Sequence, residues 1–167
     1  MSQRSRIRQE PSLRRRASCP ELCRVERLLV QGFRRWLRGD AEWDRAARDA
    51  TRVLRPAQAM VFLNAVNGLA EVIDANARRV IRLRTPSSKR VSTDERALIA
   101  LFGAAQHGRF GHARAILDYL VAPGCHAKAM AHVVSVTRVL DKAALRLAPP
   151  RAQRPPAGCE APLRAIA

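Results

Sequence analysis

The sequence predicts an all-α protein: a single-domain bundle of about six helices between disordered N- and C-terminal tails. Three observations carry this. Apolar residues make up 47% of the 167 residues, enough for one core, yet aromatics are only 4%, so the core is Leu, Val, Ile and Ala. Ala, Leu and Arg, all good helix formers, are frequent, and no six-residue stretch alternates as a half-buried strand would. The most apolar run, Met60 to Ile81, has Phe62, Leu63, Val66, Leu69, Ala70, Ile73, Ala77 and Val80 at helical spacing, with Met60, Val61, Ala65 and Val72 widening the stripe. A helix apolar over so much of its circumference belongs in the middle of a bundle.

The predicted domain spans residues 18–148. Residues 1–17 hold Arg4, Arg6, Arg8, Arg14, Arg15 and Arg16 and little that could offset ordering entropy, so they are expected to be disordered. Ser18-Cys19-Pro20-Glu21 reads as a capping box opening a first helix with Leu22, Val25, Leu29, Phe33 and Trp36 inward, closed by Gly39. Asp40 can cap a second helix carrying Trp43, Ala46, Ala47, Ala50, Val53 and Leu54, and Pro56 separates it from the central one. Asn67-Gly68 inside the central helix implies either a bend there or close packing of a neighbour, and the apolar phase carrying on across it favours packing.

Residues 83–92 are expected to be a polar loop. Ser92-Thr93-Asp94-Glu95 is a second capping box, opening a helix with Ala97, Leu98, Leu101, Phe102 and Ala105 inward and His107-Gly108 at its end. A short helix follows over about 111–121, then a break at Pro123-Gly124 and a last helix from His126 to Leu147. Residues 149–167 contain five prolines and read as a Pro-rich flexible tail.

Twelve positions are expected to share the core: Leu29, Phe33, Phe62, Leu63, Val66, Leu69, Ile73, Leu101, Phe102, Leu117, Val134 and Leu140.

The net charge is +17. The excess is not confined to the tails, since residues 20–148 carry 22 Lys plus Arg against 12 acids. Such a field draws polyanions and acidic proteins. Its densest run is Arg78, Arg79, Arg82, Arg84, Lys89 and Arg90, with no acid from Ala75 to Thr93. Cations are favoured at a helix C-terminus, but six exceed what a helix end uses. They form the candidate patch for an acidic protein partner or for nucleic acid, and Arg34, Arg35 and Arg38 beside Trp36 could extend it.

Chemistry has little support. No P-loop or dinucleotide fingerprint occurs, and no cofactor is expected. Glu71 and Asp74 share a helix face, where Asp74 can pair with Arg78 at i,i+4. Cys19-x3-Cys23 with Cys125, His126 and His132 could supply zinc ligands, but not at the tight spacings that signal a site, and no metal is expected. The other cysteine is Cys159, and a reducing cytoplasm with free thiols is expected. The acids and amides in the central run argue against a membrane span.

Gly108, Phe110, Ala113, Leu117, Leu120 and Pro123 resemble the second half of a tetratricopeptide unit, which would imply a helical hairpin, but no second copy follows and stacked repeats need about three. A helix-turn-helix over 100–119 would put His107 and Arg114 at packing positions. The GFRRWLRGD and STDERALIALFGAAQ segments resemble small helical proteins of bacteria with GC-rich genomes, a resemblance that implies no activity. The resulting expectation is a non-enzymatic protein-interaction or regulatory module, with a non-specific nucleic-acid binder as the alternative.

Overall fold

The computed structural model describes residues 6–9 and 22–149. Within them are six helices: α1 (Arg24–Trp36), α2 (Asp40–Thr51), α3 (Pro56–Asn76), α4 (Thr93–Gln106), α5 (Phe110–Leu120) and α6 (His126–Lys142). The all-α single-domain bundle is therefore the fold. Two three-residue strands, β1 (Ile7–Gln9) and β2 (Ile81–Leu83), pair in parallel.

α3 is the central helix. It packs on α6, α2 and α1, and α4 lies across α6 and α5. Phe62, Val66, Leu69 and Ile73 are at most 1% exposed. The expected core forms, except that Leu63 and Val134 are half-buried. α3 is less enclosed than its composition suggests: Met60 is 66% and Val61 50% exposed, both near its start.

Gly68 is where α6 comes closest. A Cβ built there would lie 2.3 Å from His132 Cε1 and 2.8 Å from both ring nitrogens. Overpacking costs about 1–3 kcal/mol, whereas Gly→Ala in a helix gains about 1 kcal/mol. Gly68→Ala is thus expected to be neutral to destabilising by up to about 2 kcal/mol in the parent chain. In a His132→Ala background the same change should stabilise by about 1 kcal/mol. Urea titration of the four chains checks this, and the same sign in both backgrounds would mean the ring simply moves aside.

Several boundaries differ from expectation, each for a visible reason. α1 begins at Arg24, where the Glu26 carboxylate accepts from Cys23 N–H at 2.9 Å; the box at 18–21 lies outside the described residues. Gly39, at φ +85°, is the N-cap of α2, and Asp40, expected to be the cap, is its first helical residue. α3 stops at Asn76, not Ile81. The Asn76 amide turns back to donate to Val72 O at 2.9 Å, and Ala77 is extended and bridged to Val121.

The last helix ends at Lys142 rather than Leu147, with Ala144 in the left-handed region at φ 54°. The Gln106 amide holds the segment beyond it, donating to Leu145 O (2.8 Å) and accepting from Leu147 N–H (2.8 Å). Gly108, at φ +70°, closes the turn after α4, so α4 and α5 form a single αα-hairpin. His107 and Arg114 are both exposed, as a helix-turn-helix core would not allow.

The largest difference is in the Arg-rich segment. Residues 7–9, expected to be disordered, form β1, with Ile7 only 2% exposed. Residues 1–5, 10–17 and 150–167 lie outside the described residues. Asp74, expected to pair with Arg78, instead accepts from the backbone N–H of Arg6 (2.8 Å) and Ile7 (3.1 Å).

Candidate functional site: a basic cleft over the start of α4

β2 and the loop after it are held by the first turn of α4. The Ser92–Glu95 capping box forms as its spacing predicts: Ser92 Oγ accepts from Glu95 N–H (3.1 Å) and Glu95 Oε2 from Ser92 N–H (2.8 Å). The same residues also bind β2. Asp94 Oδ2 accepts from Arg82 N–H (2.7 Å), Ser92 Oγ donates to Arg82 O (2.7 Å), and Glu95 Oε1 accepts from Arg84 N–H (2.8 Å). Three side chains of one helix start thus fix an extended strand that has no sequence period of its own.

Glu95, fully buried, also receives Arg34, which is 2% exposed: Nε donates to Oε1 at 2.7 Å and Nη2 to Oε2 at 2.9 Å. The other guanidinium donors reach Ser88 O (2.7 Å) and Arg90 O (2.6 Å). Arg34 is therefore an interior anchor, not an extension of the basic surface. Arg35 is also used within the fold, pairing with Asp49 at 2.8 Å. Of that trio only Arg38 is exposed, and its Nη1 donates to Gln9 Oε1 at 3.0 Å. Trp36 is half-buried and donates from Nε1 to Asn67 Oδ1 at 2.8 Å.

The six candidate cations separate in the same way. Arg79 is paired with the buried Asp94 and lies 4.0 Å over the Tyr119 ring. Its hydrogen bond to Asp94 raises its pKa above the usual arginine value, against the opposing effect of burial. Arg84 and Arg90 are half-buried. Arg78, Arg82 and Lys89 are exposed, Arg78 donating to Asp118 O at 3.1 Å.

Between β2, the α4 start and α5 lies an open cleft of about 520 Å³, lined by Arg79, Val80, Arg82, Ser92, Thr93, Asp94 and Tyr119. Val80 is 41% and Tyr119 47% exposed on its rim. The sequence reading missed Tyr119, which belongs to a different helix from the basic run. Its helical phase, one residue off the inward stripe of Leu117 and Leu120, was the available signal.

The proposed zinc ligands are not assembled among the described residues, which contain no group of three or more His, Cys, Asp or Glu that could hold a metal. Cys23 is exposed and Cys125 half-buried, both free; His126 stands 3.5 Å from Asp118, and His132 packs on Gly68. Cys19 and Cys159 lie outside the described residues. No described helix is long and apolar enough to cross a membrane. No family model matches the chain, and comparison with curated proteins and with solved structures returns no match.

Proposed function

We propose that the protein is a non-enzymatic interaction or regulatory module whose basic cleft receives an acidic protein partner. The observation that carries this is the mixed character of the cleft: Val80 and Tyr119 stand exposed on the rim beside Arg79 and Arg82. Apolar and aromatic anchors flanked by cations suit an acidic segment with apolar side chains of its own. Free Cys23 and Cys125 fit a reducing, cytoplasmic setting.

The alternative is a non-specific nucleic-acid binder using Arg78, Arg79, Arg82, Arg84, Lys89 and Arg90. The charge of +17 favours it. Against it, one face of Tyr119 is already covered by Arg79 and is not free to stack on a base. Of the six cations, only Arg78, Arg82 and Lys89 are exposed.

Fluorescence anisotropy separates the readings, with a Glu-rich peptide carrying one Leu and a labelled DNA duplex as probes across a salt series. The expected result is peptide binding weakened by Tyr119→Ala and by Arg82→Ala. Duplex binding that ignores Tyr119→Ala, and whose log-log salt slope flattens by about 2–3 in an Arg78→Ala/Arg82→Ala/Lys89→Ala chain, would favour the alternative. Arg79 is left out because its loss would strand Asp94.

A further inference from the structure

We infer that the edge of β2 facing β1 is a strand-addition site for an extended acidic segment, filled in this chain by its own residues Arg6–Gln9. This rests on the acidic-partner reading and gives that partner a conformation and a pattern.

The site is built to receive a strand. β2 is gripped on its other edge by Ser92, Asp94 and Glu95, so its extended form does not depend on β1. The edge toward β1 carries Ile81 N–H, which donates to Arg6 O at 2.9 Å. The described sheet has no third strand. Asp74, at the end of α3, reads the start of the incoming strand by accepting from two successive backbone N–H groups. Neither bond depends on the side chains of Arg6 and Ile7. Ile7 enters the core cluster, and the Arg6 guanidinium donates to Ala77 O. Backbone pairing plus a pocket for alternate side chains is how extended peptides are recognised at sheet edges. A surface already held in its bound shape avoids much of the ordering cost.

The resident strand is imperfect in one respect. The register pairs Ile7 with Ile81, Arg8 with Arg82 and Gln9 with Leu83. Arg8 and Arg82 are both exposed, so two cations sit side by side. Like charges on paired residues of adjacent strands repel, and opposite charges attract. A segment with an aliphatic residue in the Ile7 position followed by Asp or Glu in the Arg8 position would keep every backbone bond and turn the repulsion into attraction. Arg82 also lines the basic cleft, so the rest of an acidic partner could continue over Tyr119 and Val80.

The test uses the full chain and two hexapeptides: Ser-Arg-Ile-Arg-Gln-Glu, the sequence of residues 5–10, and Ser-Arg-Ile-Glu-Gln-Glu. Binding is followed by NMR at the amides of Ile81 to Leu83. The acidic peptide should bind about three- to tenfold more tightly than the other. The parent chain must release its own strand first, which lowers its apparent affinity by the fraction open. An Ile7→Glu chain, whose strand cannot seat, should therefore bind the acidic peptide at least tenfold more tightly than the parent does.

An Arg8→Glu chain, whose own strand now pairs with Arg82, should bind about three- to tenfold more weakly than the parent. Should Ile7→Glu fail to fold, the comparison of parent with Arg8→Glu decides alone, and equal affinity there overturns the inference. Binding alike to all chains, or with shifts at Tyr119 but none at β2, overturns strand addition and leaves the acidic-partner reading in place. Silence of both hexapeptides overturns strand addition as well, and the Glu-rich peptide then tests the acidic-partner reading separately.

Discussion

Replacing Glu95 by Ala is expected to destabilise the protein by about 3–5 kcal/mol, the cost of breaking a buried ion pair from one side. The change leaves the Arg34 guanidinium, 2% exposed, without its countercharge. It also removes the acceptor for the backbone N–H of both Arg84 and Ser92. For a chain of this size the thermal midpoint should fall by about 6–20 °C. Arg34→Met should cost a comparable amount, because it leaves the fully buried Glu95 carboxylate with only its two backbone donors and takes the guanidinium away from Ser88 O and Arg90 O. The double change Arg34→Met/Glu95→Leu should not recover the parent's stability, unlike many buried ion pairs replaced by apolar residues, since those backbone donors stay orphaned. Hydrogen exchange adds a local readout: the amides of Arg84 and Ser92 should lose protection in Glu95→Ala before the core helices do. A loss below about 1 kcal/mol in Glu95→Ala would mean that other contacts hold residues 84–92 to α4.

This pair also shows what could be read from the chain. The Ser92–Glu95 box was legible because both partners lie within one helical turn. The reach of Glu95 across to Arg34 was not, because Arg34 sits in a sequence, Phe33-Arg34-Arg35-Trp36, that reads as an ordinary solvated basic face. The α3 stripe and its Gly68 contact were legible for the same local reason as the box. β1 and β2 were not: three-residue strands offer no period, and the contact between Arg6 and Asp74 spans 68 residues. The basic run was found as composition, but composition could not divide it. Arg79 belongs to the fold through Asp94, whereas Arg78, Arg82 and Lys89 face solvent. Only the three-dimensional placement of α5 brings Tyr119 to the same cleft.

The second large effect is expected at Phe62. It is fully buried in α3, and truncation to Ala should cost about 3–5 kcal/mol, combining lost transfer energy with the cavity left behind. Its sequence neighbours supply the control. Met60 and Val61 are 66% and 50% exposed on the same turn, so Met60→Ala and Val61→Ala should each change stability by less than about 0.5 kcal/mol. Composition alone would rank all three together, because each belongs to the most apolar stretch of the chain. Packing ranks them differently: α3 buries the face carrying Phe62, Val66, Leu69 and Ile73 and leaves Met60 and Val61 in water. Urea titration of the three single variants at two protein concentrations checks this. A large loss in Met60→Ala or Val61→Ala that grows on dilution would place a second copy of the chain over the start of α3, because stability then depends on protomer concentration. A small loss in Phe62→Ala would instead mean that α3 is not the helix around which the core is packed.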